Sequence, residues 1–274
     1  MRSPIVFTDL DGTLLDHATY SWEPALPALR LLRERQIPLV FCSSKTRTEI
    51  EHYRRELDNH DPFISENGGG IFIPGGYFDL SVLPSEPVST KTAGWEIIRL
   101  GAPYHLLRRA IRRLREEGFT LTGFGDMTVA EIAALTGLTP EQSAMARERD
   151  FDEPFIFDGD RAEIERLRER VRAMGLQLTM GAFPHLLGGS NKGVAFEMLA
   201  SLYRAKLGEI VTIALGDSLN DLPMLQCADQ PVIIRTPEGR HHSALAVPNA
   251  IITRGEGPQG WNEAILKLLG TPSS

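Results

Sequence analysis

Short apolar runs rich in β-branched residues recur along the chain, and each stops abruptly at small or polar residues: Ile5-Val6-Phe7, Ile37 to Phe41, Val211 to Leu215, Val232-Ile233-Ile234 and Ile251-Ile252. Their apolarity is continuous rather than alternating, which is what a parallel strand covered on both faces requires. Between them, apolar residues fall at helical spacing: Leu26, Leu29 and Leu32; Ile50, Tyr53 and Leu57; Ala195, Leu199 and Leu202. Strands alternating with helices predict an α/β fold built on a doubly wound parallel sheet.

The middle of the chain breaks this alternation. It reads as a strand at 95–100, an Arg-rich helix at 106–117, a strand at 120–123, short helices at 129–135 and 140–149, a strand at 154–157, a helix at 160–174, and extended segments at 176–180 and 183–187. Thr139 as N-cap, Pro140 at the first helical position and Gln142 completing a capping box give the second short helix a well-formed start. The pattern predicts an α+β module inserted into the first domain: a core from 1–88 and 188–274, and an inserted cap from 89–187. Pro84, Pro87, Gly188 and Gly189 are the expected hinge material at its flanks.

Composition narrows the class. At 274 residues, 42% hydrophobic and 24% charged, the chain has ordinary globular usage. With 29 basic and 36 acidic residues the net charge is −7, so no broad nucleic-acid footprint is expected. No apolar run of about 18 residues or secretory segment is present, and no membrane role is expected. Cys42 and Cys227 make neither a disulfide framework nor a zinc spacing, which fits a reducing cytoplasm. Lysine is scarce, at 45, 91, 192, 206 and 267, so one inside a phosphate-like motif stands out.

Four clusters of polar residues carry the candidate chemistry. Asp9-Leu10-Asp11-Gly12-Thr13 follows the first strand, where open α/β sheets place ligands, and its two carboxylates suit a nucleophile and a proton donor. Asp-Gly is also plain turn chemistry, while an EF-hand reading fails on the glycine position and the missing closing Glu. Ser43-Ser44-Lys45-Thr46 follows the second strand, where hydroxyls and free amides can hold an anionic oxygen, although Thr46-x-x-Glu49 is equally an ordinary capping box. Ser190-Asn191-Lys192-Gly193 puts a lysine at a helix start, a position unfavourable for the dipole unless an anion sits nearby; the alternative is an exposed surface lysine. Gly216-Asp217-Ser218-Leu219-Asn220-Asp221 ends another strand and offers hard oxygen ligands, or, from Ser218, an acidic capping box that leaves Asp217 unexplained.

Taken together, in this order, the clusters resemble the Asp-x-Asp-x-Thr, Ser/Thr, Lys and Gly-Asp-x-x-x-Asp motifs of the haloacid dehalogenase-like phosphohydrolase superfamily, and the insertion resembles its type-two cap. The resemblance implies Mg²⁺-dependent phosphomonoester hydrolysis. Asp9 would be the nucleophile, Asp11 the proton donor and later the base, Ser43 a phosphoryl-oxygen donor, and Lys192 the partner of both phosphate and Asp9. Asp9, the Asp11 carbonyl and Asp217 would hold the metal, with Thr13, Asn220 and Asp221 close by. Ser43-Ser44-Lys45-Thr46, Ser65-Glu66-Asn67-Gly68-Gly69, Gly123 to Met127 and Arg147 to Phe155 further resemble the mannosyl-3-phosphoglycerate phosphatases, which implies a small-molecule sugar phosphate as partner. Ser44, Lys45, Glu66, Asn67, Gly68, Gly69, Arg147, Arg149, His185 and Asn220 are then the candidate substrate contacts. Solvated helix ends for the two arginines, and a packed or exposed strand residue for His185, are the plainer alternatives. The resemblance also leads to an arginine near position 182, where this chain has Ala182.

Other segments read as ordinary structure. Asp158-Gly159-Asp160 reads as a helix cap, and the Arg108 to Arg115 helix as a solvated face. The competing functions are a phosphatase for glucosyl-3-phosphoglycerate or another sugar phosphate, a sugar phosphomutase, and a noncatalytic sugar-phosphate-binding regulator. The sequence leaves the oligomeric state open.

Overall fold

A computed structural model describes residues 2–82, 89–92, 94–180, 183–239, 241 and 244–270. The proposed hinge residues Pro84 and Pro87, and Ala182, lie outside the described residues. The strands are β1 (Ser3–Thr8), β2 (Leu39–Cys42), β3 (Phe63–Ser65), β4 (Gly70–Pro74), β5 (Ser89–Thr92), β6 (Trp95–Arg99), β7 (Leu121–Gly123), β8 (Asp152–Phe157), β9 (Gln177–Met180), β10 (Pro184–Leu187), β11 (Ile210–Gly216), β12 (Gln230–Arg235) and β13 (Ile251–Glu256). The helices are α1 (Leu26–Glu34), α2 (Arg47–Glu56), α3 (Tyr104–Glu116), α4 (Val129–Thr136), α5 (Pro140–Arg147), α6 (Arg161–Ala173), α7 (Lys192–Leu207), α8 (Leu222–Cys227) and α9 (Gly257–Leu269).

Among the described residues, nine strands form one sheet in the order β13-β12-β11-β1-β2-β3-β4-β6-β5. The strands from β13 to β3 pair in parallel, and β4, β6 and β5 add an antiparallel edge. Successive side chains of a strand point to opposite faces, and here both faces are covered. In β1, Val6 enters the layer holding Phe41, Leu215 and Trp261, while Ile5 and Phe7 enter the layer holding Phe196 and Leu199. That two-sided burial is why the sequence shows unbroken apolar runs.

The second sheet is antiparallel, in the order β7-β8-β10-β9. Its helix-covered face packs Phe155 and Leu186 against Leu107, Ile111 and Leu114 of α3 and Leu167 and Val171 of α6. Alternation puts Asp152 and Pro154 of β8 and His185 of β10 on the other face.

One boundary moves. Residues 89–92 and 95–99, counted with the insertion in the sequence reading, pair through β6 onto β4 and extend the large sheet. A lone strand beside a turn has the same local pattern whichever sheet it joins; only the pairing partner decides. The division we propose for the cap therefore starts after Leu100 and ends at Leu187. The two crossing segments touch there: a Cβ on Gly188 would lie 2.3 Å from the Ala102 amide nitrogen. Among the described residues, no helix is long and apolar enough to cross a membrane.

Candidate active site

Parallel pairing sets Thr8 beside both Phe41 and Leu215, so the residues that follow these three strand ends converge. The backbone N–H of Asp9 donates to the Leu215 carbonyl at 2.9 Å, which fixes the turn carrying the first acid pair. Lys192 enters from the first turn of α7, whose N-cap Asn191 accepts the amides of Gly193 and Val194.

Lys192 is fully buried, which removes the surface-lysine alternative. Its Nζ lies 2.7 Å from Asp9 Oδ1 and 2.6 Å from Asp221 Oδ1. Burial opposes its charge, but Asp221 and Asp9 outweigh that and hold the ammonium well above its ordinary value. Burial first, then Asp221, pushes Asp9 up to about 7 against the pull of Lys192. Burial, Asp221 and Asp9 likewise raise Asp217 well above the usual carboxylate range.

Ligand atoms of Asp9, Asp217 and Asp221 all lie within 4.8 Å of one another, a set of hard oxygens that could hold a metal ion. The raised Asp9 and Asp217 reflect burial first and the crowding of carboxylates second, and a bound cation would offset both. Within this set Asp221 is already engaged: Oδ1 takes Lys192, and Oδ2 accepts the amides of Asp217 and Ser218 at 3.1 and 3.0 Å. Thr13 Oγ1 donates to Asp217 Oδ1 at 2.9 Å. Gly12, at φ +74°, leaves room for that carboxylate: a Cβ there would come within 2.9 Å of Asp217 Oδ2.

The second cluster departs from its expected role in part. Ser43 is buried, and its Oγ accepts the Lys45 amide at 3.2 Å, leaving the hydroxyl hydrogen free to donate. Lys45, expected on the substrate, is buried instead between Asp11 Oδ1 at 3.0 Å and Glu49 Oε1 at 3.4 Å, over the rings of Tyr20 and Tyr53. The Thr46–Glu49 capping box forms, and Thr46 Oγ1 also donates to the Met145 carbonyl of α5 at 2.9 Å.

The remaining candidates divide. Arg149 is no solvated helix end: its side chain is 6% exposed and donates to the carbonyls of Ser44 (2.9 Å) and Ala146 (2.8 Å). Arg147 is exposed. Glu66 faces backbone, its oxygens accepting the amides of Asp150 and Phe151 at 2.8–3.1 Å, and burial pushes it up to about 8 against the pull of Arg149. Asn67 donates to Asp152 Oδ2 and accepts from Asn220 Nδ2, each at 3.0 Å. A Cβ on Gly68 would meet the Asn191 carbonyl oxygen at 2.2 Å, and one on Gly69 the Phe151 Cβ at 2.3 Å, so these glycines admit chain rather than ligand. His185 is buried with Nδ1 2.9 Å from both oxygens of Asp152.

Two residue groups escaped the sequence reading. Asp152 has no role of its own in the sequence reading, lying before the strand expected at 154–157 and only inside the Arg147 to Phe155 segment; its partners lie 33 and 85 positions away in the chain. Arg108 and Arg115, read as a solvated face, converge on Asp126, and Arg108 also reaches Glu153 at 2.6 Å. Burial works against the Asp126 charge, yet hydrogen bonds from the two guanidinium groups hold it down at about 2. The helix-cap reading of Asp160 agrees with the structure, where it caps α6 in a full capping box.

The sequence profile of the haloacid dehalogenase-like hydrolases matches residues 6–90 and 184–238. The chain is 42% identical, over 97% of both chains, to a glucosyl-3-phosphoglycerate/mannosyl-3-phosphoglycerate phosphatase from Methanococcoides burtonii. It is 38% identical to a mannosyl-3-phosphoglycerate phosphatase from Pyrococcus horikoshii, over 84% of this chain and 90% of that protein. Among solved structures, a phosphatase of the haloalkanoate superfamily from Bacteroides thetaiotaomicron superposes with a TM-score of 0.68 at 21% identity, covering 98% of this chain and 96% of the other.

Proposed function

This chain belongs to the haloacid dehalogenase-like hydrolases, and from that premise we propose that it is a Mg²⁺-dependent phosphomonoesterase working through an aspartyl-phosphate on Asp9. The observation that carries the reading is buried Lys192 bridging Asp9 and Asp221 beside Asp217 at the ends of parallel strands.

An anionic nucleophile meeting an anionic phosphomonoester needs positive charge between them. Lys192 supplies one such charge at the Asp9 oxygen. Asp9 and Asp217, with the Asp11 carbonyl, would hold Mg²⁺, which would supply the rest of that positive charge. Asp9 attacks phosphorus as the bond to the leaving oxygen breaks, and Asp11 donates its proton to that oxygen. Asp11 then takes a proton from water as the water attacks phosphorus, releasing phosphate and restoring Asp9. The Ser43 hydroxyl holds a phosphoryl oxygen. Lys45 orients Asp11, since its ammonium sits 3.0 Å from Oδ1 and is itself fixed by Glu49.

The substrate we assign is mannosyl-3-phosphoglycerate, hydrolysed to mannosylglycerate and phosphate. The names of relatives at 42% and 38% identity support that choice. The first of those names also covers glucosyl-3-phosphoglycerate, which makes it the second candidate. Buried Cys42 and partly buried Cys227 are both free, in keeping with a reducing cytoplasm. A panel of both glycosyl phosphoglycerates and simple hexose phosphates tests the assignment. The mannosyl ester is expected to give a kcat/KM at least about tenfold above any hexose phosphate; faster turnover of a hexose phosphate would overturn it.

A further inference from the structure

Asp152 belongs to the smaller sheet and touches none of the residues assigned to phosphoryl transfer, yet it is fully buried and its carboxylate collects donors from several directions. Asn67 Nδ2 reaches Oδ2 at 3.0 Å, His185 Nδ1 lies 2.9 Å from both oxygens, and Arg149 Nη1 stands 3.9 Å from Oδ2. Two of these donors continue into the core. Arg149 also donates to the Ser44 carbonyl, in the loop of the phosphoryl-holding Ser43. The Asn67 amide is used at both ends: its Oδ1 accepts Asn220 Nδ2 at 3.0 Å, and its backbone N–H donates to the Ser43 carbonyl at 3.0 Å.

The backbone that presents Asn67 is unusual. Glu66, Asn67 and Gly68 are consecutive residues at φ +48°, +57° and +92°. Left-handed conformations at two adjacent non-glycine residues cost free energy and persist only where surrounding contacts over-determine them. The contacts are those of Glu66 with the Asp150 and Phe151 amides, and of Asn67 with Asp152, Ser43 and Asn220.

We propose that Asp152 is a positioning residue: through Asn67 it orients Asn220 and so preorganises the 217–221 loop for its metal, making cap engagement and metal binding support each other. The inference rests on the phosphatase reading for the role of that loop. Removing the carboxylate leaves the Asn67 and His185 donors unpaired in a dry site, and the Asn67–Asn220 bond loses the anchor that aims it. Outer partners of metal-binding residues typically change affinity by tenfold or more when lost.

The test is calorimetric titration of Mg²⁺ onto the full chain without any phosphate compound, for the parent, Asp152→Ala, Asn220→Ala and the double variant. Each single variant is expected to weaken Mg²⁺ binding about tenfold. The double variant is expected to weaken it by about the same factor, because two links of one chain do not add. Should Asp152→Ala fail to fold, Asp152→Asn serves: its single acceptor oxygen keeps one of the two donors, and about threefold weakening is expected. Unchanged Mg²⁺ affinity in a folded Asp152 variant, or effects that multiply in the double variant, would overturn the proposal. A parent that binds Mg²⁺ but releases phosphate from no ester would instead overturn the phosphatase reading, so the two failures are distinct.

Discussion

At the scale of the residue, the site is a problem in compensated burial. Asp9 sits at about 7 because burial and Asp221 raise it more than Lys192 lowers it. An acid whose folded value is raised binds more protons folded than unfolded between about 4 and 7, so its contribution to stability falls as pH rises through that window. A cation competes with that proton. The rise in Tm produced by Mg²⁺ is therefore expected to be larger at pH 8 than at pH 5; equal shifts at the two pH values would contradict the assignment of Asp9 as a ligand. Asp9→Asn removes the nucleophile but keeps its shape. Phosphate release is expected to drop by at least about a thousand-fold, and retained turnover would rule out the covalent route.

At the scale of the element, strand ends and helix starts do the positioning. The N-cap Asn191 sets α7 so that Lys192 points inward, and the Asn191 carbonyl leaves no space beside Gly68. Gly68→Ala places a Cβ 2.2 Å from that oxygen at a φ of +92°. Strain and clash together are expected to lower stability by about 2–4 kcal/mol in a denaturant titration, with a matching fall in activity because the segment borders Lys192. An alanine variant as stable as the parent would show that the two loops do not depend on this approach. The Glu66 carboxylate has an analogous part in the segment joining α5 to β8, where it receives two backbone amides. Raised to about 8 by burial, it too subtracts stability as pH climbs from about 4.5 through 8. Glu66→Gln is expected to flatten the fall in Tm between pH 6 and 9, and an unchanged slope would exclude Glu66 as its source.

At the scale of the whole molecule, two sheets meet over one set of strand ends. Much of this was legible in the chain: two-sided burial left continuous apolar runs, and capping boxes at Thr46 and Thr139 and a helix cap at Asp158-Gly159-Asp160 marked helix starts that the structure reproduces. Asp9, Lys192 and Asp217 stand out in the chain because each follows or opens an element whose end is fixed by local pattern, but it is the parallel pairing of β1 with β11, far apart in sequence, that brings the strand ends to one rim. What the chain by itself determined was therefore the element types, their order and the residues at their termini, all governed by interactions within a few positions.

Only the tertiary structure decided which sheet takes residues 89–92 and 95–99, that Lys45 faces Asp11, that Glu66 faces backbone, and that Asp152 joins His185 and Asn67, and through Asn67 reaches Asn220. The physical reason is common to all four. A polar side chain or an edge strand has many acceptable partners, and the choice among them depends on which groups burial places within hydrogen-bonding reach. Those groups lie far apart in sequence, 85 positions for Asn67 and Asp152 and 153 for Asn67 and Asn220.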